Sequence, residues 1–443
     1  MKEILLFILC LVFGPFIQAQ DFELPSHKKR DRIPFELVNN LVVIPVDVNG
    51  KELSFILDTG SRKTLLFSLT DIDSLEINDV TPIKIMGLGS EGLIDALRSE
   101  NNTLRIGKAK GTKQDLYIVF DKNVNISPKM GYPIHGVIGF DFLRDFVIEI
   151  NYINKHLTFT KIKEYKRRGC GRCEQIPLQF SNGRPYVSAE IAYGSNRQKL
   201  DLLLDIGSSD ALWLFNESWG IDTLEQNYFE DFLGTGISGS IHGKKSKLPQ
   251  LEVGVFSFQD VKVSYPDEAT LTKIRSLEDR NGSIGGEIFR RFHVTLNYAN
   301  QEMILKKNKY YKDPFYYNMA GITLEHDGMV SVTGFENNGS VSLSPRRNQN
   351  NAGVIDIFIN PTLSFMMAPR YVVSELRKDS PAALAGIQVG DVVISINGKE
   401  SYKYKMYEIN SLFSRSKEGK KMTLLINRNG YEIEYSFKLK KVL

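Results

Sequence analysis

One short motif occurs twice in this chain, 147 positions apart, as Phe55-Ile56-Leu57-Asp58-Thr59-Gly60-Ser61 and Leu202-Leu203-Leu204-Asp205-Ile206-Gly207-Ser208. Each copy is an apolar run ending in an aspartate, a small turn and a hydroxyl. The same offset carries Gly87, Gly89 and Gly92 onto Gly234, Gly236 and Gly239, and Leu104 and Gly107 onto Leu251 and Gly254. At an offset of 146, Gly136 to Phe159 aligns with Gly282 to Leu305 without a gap, and eight of the 24 pairs are identical. A near-constant period through separated motifs marks an internal duplication, so the chain must hold two equivalent lobes.

Each lobe reads as mostly strand. Leu41 to Val48, Leu53 to Leu57, Tyr117 to Phe120 and Val147 to Ile150 are rich in Val, Ile, Leu and Phe, with Asn49-Gly50 as a hairpin turn. Tyr186 to Tyr193 and Lys199 to Leu204 repeat the pattern, and Ile33-Pro34 and Ile176-Pro177 open the two lobes. The residues after Gly139 and Gly285 suit one turn of helix. An aspartate at the end of a buried strand is poorly solvated. Two of them, one per lobe, can meet at the lobe interface, where close carboxylates share one proton and divide into an acid and a base. Such a pair can activate water against a peptide bond without metal or cofactor.

Other chemistries find little support. Gly87-x-Gly89-x-x-Gly92 and Gly234-x-Gly236-x-x-Gly239 match a dinucleotide fingerprint, but neither opens a helix in a βαβ unit. They read better as hairpin tips whose glycines let backbone approach a ligand. There is no His-Glu-x-x-His pattern and no Gly-x-Ser-x-Gly elbow. The net charge of +4 over 443 residues is small, and basic clusters such as Lys166-Arg167-Arg168 are short, so no nucleic-acid partner is expected.

Lys2 precedes an apolar run from Ile4 to Ile17, with Ala19 as a small residue for cleavage. Residues 1–19 therefore read as a signal peptide, and no later run is long and apolar enough for a membrane span. The protein is expected to be exported, to a periplasmic, cell-envelope or secreted location. Cys170 and Cys173, in a Gly- and Arg-rich stretch between the lobes, then suit a local disulfide. A redox-active pair is the other reading. A zinc site would need two further ligands that the sequence does not offer.

With both motifs in view, the chain resembles the bacterial retropepsin-like aspartic proteases of the pepsin superfamily. Asp58-Thr59-Gly60-Ser61 matches that family's catalytic motif, and Asp205-Ile206-Gly207-Ser208 matches it except at Ile206. Val137-Ile138-Gly139 and Ser283-Ile284-Gly285 resemble the segment packed against each catalytic loop. The resemblance implies a mainly β, two-lobed β-barrel pseudo-dimer, with lobe one over 20–165, a linker over 166–175 and lobe two over 176–310. It implies Asp58 and Asp205 as catalytic residues, supported by Thr59, Gly60, Ser61, Gly207 and Ser208. Ser61 and Ser208 would hydrogen-bond the outer carboxylate oxygens. Two flaps would close on substrate through Gly87, Leu88 and Gly89, and through Gly234, Thr235 and Gly236. Ile206 lacks the hydroxyl that would cross to the other loop, which removes one cross-lobe bond of on the order of 1 kcal/mol.

The C-terminal part, 318–443, resembles a PDZ domain of the permuted bacterial type, a small α+β fold. Ser380-Pro381-Ala382-Ala383-Leu384-Ala385-Gly386 is a capped short helix, and Met406, Ile409, Leu412 and Phe413 have helical spacing. By that resemblance Ala320, Gly321 and Ile322 would hold the C-terminus of a partner protein. A polar, irregular insertion is expected over about 329–367. The function implied is a monomeric aspartic endopeptidase acting on peptide or protein substrates. The alternative is a catalytically silent, protease-derived peptide-binding or regulatory protein.

Overall fold

The alternating apolar pattern of both halves becomes strands that are buried on one face or on both. The computed structural model describes residues 21–67, 69, 74–86, 93–120, 124–167, 169–215, 228–236, 239–277, 280–336, 341–347, 353–359 and 362–443. The expected signal peptide, 1–19, and the first flap tip, Gly87, Leu88 and Gly89, lie outside the described residues.

In each lobe a hairpin delivers the aspartate. Leu41–Val48 pairs with Lys51–Leu57 around Asn49 and Gly50, both at positive φ, and Arg184–Tyr193 pairs with Asn196–Asp205. The strand that ends in the aspartate is then pinned by a parallel neighbour. Gly136–Ile138 lies beside Phe55 to Leu57, and Gly282–Gly285 lies beside Leu202 to Asp205. One turn of helix follows each neighbour, Phe140–Leu143 and Gly286–Phe289. The loop after each aspartate folds back onto these glycines. A Cβ on Gly139 would strike the backbone oxygens of Asp58 and Ser61, and one on Gly285 would strike that of Asp210.

A six-stranded sheet joins the lobes and contains their twofold axis. Phe146–Asn151 pairs antiparallel with Phe292–Asn297, and Glu149 faces Thr295, its own counterpart at the offset of 146. Outside this pair lie His156–Lys161 and Arg30–Pro34 on one side, and Glu302–Lys307 and Cys173–Pro177 on the other. Pro34 faces His156 as Pro177 faces Glu302. Leu57, Ile138, Ile148, Leu204, Ile284 and Leu296 share one fully buried core that runs through both lobes. The chain is mainly β, with two lobes of matching topology.

The C-terminal domain has its own core around Ile322, Tyr371, Ile409, Phe413 and Leu424. Ser380 caps Pro381–Ala385 by accepting from the Ala383 N–H at 3.3 Å, and Gly386 ends that helix at a φ of 102°. Met406, Ile409 and Phe413 of the helix Met406–Arg415 are buried. The run from Met329 to Met367 departs from the irregular insertion expected of it. Ile322–Glu336 pairs with Thr362–Leu376 from Ile322 facing Leu376 to Glu336 facing Thr362, and Val341–Arg347 pairs with Gly353–Ile359. The polar run Asn348-Gln349-Asn350-Asn351 falls between the paired strands Val341–Arg347 and Gly353–Ile359 and is not a sign of irregular structure around it.

Candidate active site

The two aspartate loops meet at the floor of a cavity of about 1190 Å³ between the lobes. Asp58, Gly60, Ser61, Asp205, Gly207 and Ser208 line it, as do Gly234, Thr235 and Gly236. The last three stand at the end of a hairpin, Tyr228–Gly236 with Gly239–Val253, in which Gly236 faces Gly239. The Asp58 and Asp205 carboxyls stand together: a Cβ on Gly60 would lie 3.2 Å from Asp58 Oδ1 and 3.3 Å from Asp205 Oδ1, and the Asp205 charge raises the Asp58 pKa. Gly207 allows this approach, since a Cβ there would overlap the Asp58 carboxyl.

Thr59 is 1% exposed and spans the lobe boundary with its whole hydroxyl. It donates to the Leu204 carbonyl at 2.5 Å and accepts from the Ile206 N–H at 3.0 Å. Ile206 returns no hydroxyl; its side chain is fully buried in the core. A different cross-tie runs the other way, from Arg184 Nε of lobe two to the Gly60 carbonyl of lobe one at 2.7 Å. Arg184 lies outside both repeated motifs, and strand register brings it to the loop. Val43 faces Ile56 and Tyr186 faces Leu203, so Arg184 stands where lobe one has Leu41, which is 2% exposed. A cation replacing a core leucine in one repeat was the available signal. Ser61 departs from its expected role: its hydroxyl donates to the Lys63 carbonyl at 2.7 Å, within its own loop, and not to a carboxylate.

The pair is electrically asymmetric. Burial raises the Asp58 pKa, the Asp205 charge raises it further, and the Gly60 N–H at 2.7 Å and Arg184 offset only part of this. Burial also raises Asp205, but Arg280, the hydrogen bond from Asp58, Arg184 and the Gly207 N–H all favour its ionised form. Arg280 in turn packs over the Phe215 ring at 5.0 Å. Both carboxyls are raised, so the pair holds a shared proton and titrates as a unit, with Arg280 favouring the charge on the Asp205 side. Beneath the second loop, Asp210 accepts from Trp213 Nε1 at 2.8 Å and Ser264 Oγ at 3.0 Å, while Lys262 bridges to Glu287 at 2.8 Å. Among the described residues no group of three or more His, Cys, Asp or Glu could hold a metal ion.

The C-terminal domain walls the same cavity, with Thr323, Leu324, Tyr407, Asn410 and Ser411 among its lining. Ala320, Gly321 and Ile322 are not open for a partner's carboxylate as expected. Asn318 Oδ1 already accepts from the N–H groups of Ala320 at 3.1 Å and Gly321 at 2.9 Å. Asn318 Nδ2 donates to the Ile322 carbonyl at 2.7 Å. Cys170 and Cys173 are bonded to each other with Cα atoms 5.4 Å apart, and neither lines the cavity.

Residues 44–142 match the aspartyl protease family and residues 372–428 match the PDZ domain family. The chain carries an aspartyl protease domain and a PDZ domain. The protease match ends within the first lobe; the second lobe is tied to it by the twofold pairing of the central sheet. A crystal structure of an aspartic proteinase from Irpex lacteus is similar at 14% identity and a TM-score of 0.40, covering 64% of this chain and 99% of that one. No curated protein matches.

Proposed function

We propose that the protein is an aspartic endopeptidase in which Asp58 and Asp205 activate a water molecule against a peptide bond. The observation that carries this reading is the close pair of carboxyls, one from each duplicated loop, lining a cavity large enough for a peptide. Asp205, ionised beside Arg280, takes a proton from the water as its oxygen bonds to the scissile carbon. Asp58 gives its proton to the carbonyl oxygen, so a neutral tetrahedral diol forms without a covalent enzyme intermediate. Collapse of the diol breaks the C–N bond, the departing nitrogen takes a proton from the dyad, and the amine and acid products leave. Thr59, Gly60 and Gly207 hold the two loops in place, and the Gly234 to Gly236 hairpin end covers the substrate. The first flap, at Gly87, Leu88 and Gly89, would cover it from lobe one. Because one chain supplies both aspartates, a monomer suffices. The apolar leader over 1–19 and the Cys170–Cys173 bond support export to a periplasmic, cell-envelope or secreted location.

The test is a mixed peptide library incubated with purified mature protein from acid to neutral pH and read by mass spectrometry. Wild type should cleave internal bonds, and folded Asp58→Asn and Asp205→Asn proteins should lose nearly all turnover. Unimpaired cleavage by Asp205→Asn would remove the two-lobe dyad from consideration.

A further inference from the structure

The PDZ domain shares its groove with the protease. The strand Ile322–Glu336 stands at the edge of its sheet, bonded on one side to Thr362–Leu376. The helix Met406–Arg415 flanks it and turns Tyr407, Asn410, Ser411 and Ser414 to the cavity. That spacing of i, i+3, i+4 and i+7 is a single helical face. Thr323 and Leu324 line the same cavity as Asp58 and Asp205, so no wall divides the groove from the dyad. Lobe one's Ser127–Met130 packs beside this strand, and Gly131 sits against Met406 and His326.

The end of the groove that should receive a chain terminus is filled by the protein itself. A terminal carboxylate needs backbone N–H groups, and the last residue's N–H needs a carbonyl to pair with. Asn318 supplies both halves internally, with its oxygen on the Ala320 and Gly321 N–H groups and its NH₂ on the Ile322 carbonyl. The seat is braced from behind. Arg377 donates to the Asn318 carbonyl at 3.0 Å and its backbone N–H to the Gly321 carbonyl at 2.8 Å. The Arg377 guanidinium also packs over Phe229 at 4.9 Å and lies 3.9 Å from Asp231, on the hairpin that ends at Gly236. Met319 N–H is taken by the Phe413 carbonyl at 3.0 Å. A carboxylate could enter only by displacing a side chain that already satisfies the loop.

We propose that this PDZ groove takes no free C-terminus: it adds an internal, extended segment of the substrate to the Ile322 strand, and that same polypeptide continues across Asp58 and Asp205. The inference rests on the protease reading for its substrate, but the groove can be tested without turnover. The preferred substrates are then proteins with an exposed, unstructured internal stretch long enough to occupy both sites.

The experiment uses the full chain carrying Asp58→Asn, with a random-sequence peptide library displayed in two formats. One format ends in a free carboxylate; the other embeds the same peptides between two folded carrier domains. The embedded format should enrich at least as well as the free-ended one. Ser411→Trp or Tyr407→Arg, each placed on the cavity face of the helix, should abolish that enrichment while the thermal midpoint stays unchanged. Asn318→Ala, which frees the Ala320 and Gly321 N–H groups, should shift selection toward the free-ended format. Enrichment of free-ended peptides alone, enrichment of neither format, or embedded enrichment untouched by both helix variants would overturn the proposal. Peptides selected in the embedded format are then given to wild type. Binding without cleavage would count against the protease reading and leave the groove assignment standing.

Discussion

Asp58 and Thr59 are neighbours that make opposite demands on the fold. Thr59 is satisfied by being buried, whereas Asp58 is held where its charge is disfavoured. A carboxyl whose folded pKa is raised contributes most stability below its unfolded pKa, and that contribution is lost as pH rises through the folded value. Asp58→Asn should therefore abolish turnover yet raise the thermal midpoint, with a gain over wild type that grows from acid to neutral pH. A midpoint difference independent of pH would contradict the raised pKa. Thr59→Val leaves the buried Leu204 carbonyl and Ile206 N–H unpaired and should cost about 1–3 kcal/mol in urea unfolding. Restoring a hydroxyl at Ile206 is not the gain the motif suggests. The Ile206 N–H already has Thr59, and its side chain is fully buried, so Ile206→Thr should destabilise by roughly 1–2 kcal/mol. Arg280 favours ionised Asp205, so Arg280→Gln should raise the Asp205 pKa and move the acidic limb of the kcat/KM profile to higher pH. An unmoved limb would assign Arg280 a packing role only.

At the scale of elements, duplication is read most clearly where sterics leave no choice. Gly136, Gly139, Gly282 and Gly285 recur because a Cβ on each would strike a backbone oxygen, of the adjoining strands at Leu65 and Trp213 for Gly136 and Gly282, and of the aspartate loops for Gly139 and Gly285. The hairpin and the helical turn follow from apolar alternation and these glycines, so they were legible in one dimension; the neighbour of each aspartate strand was marked only by resemblance, and its parallel pairing came with the fold. Arg184 was not, because its importance comes from strand register, which places it on Gly60 rather than in a core. The pairing of Ile322–Glu336 with Thr362–Leu376 was not legible either, since it joins segments distant in the chain. The Cys170–Cys173 bond anchors the start of the outermost strand of the central sheet, Cys173–Pro177, away from the cavity. The double Ser variant should keep the wild-type kcat/KM on short peptides.

The whole molecule couples the PDZ domain to the protease through its hairpin. Arg377 meets Phe229 and Asp231, His242 lies 3.7 Å from Glu375, and Tyr317 donates to the Ser246 carbonyl at 2.9 Å. Lys129 of lobe one approaches the same Glu375 at 3.9 Å and packs over Phe232 of the hairpin at 4.3 Å. The PDZ domain thus bridges both lobes above the cleft. A chain ending at Lys309 should retain folded lobes but lose one wall of the cavity. Its hairpin, Tyr228 to Val253, should exchange amide hydrogens faster, and kcat/KM should fall more for unfolded proteins than for short peptides. Equal loss on both, with unchanged exchange, would argue that the PDZ domain acts by recruitment from outside the cleft.

Sequence alone determined the duplication, the two aspartate loops, the strand-rich lobes and the separate C-terminal domain. Each is written in local periodicity or in a residue type that only one backbone environment accepts. Tertiary structure decided which cations stand beside the aspartate pair and what the PDZ groove can accept. Those depend on groups distant in the chain. Arg280 reaches Asp205 and Arg184 reaches Gly60 only after folding, and a single asparagine, Asn318, closes a seat that the surrounding loop sequence had promised to a partner.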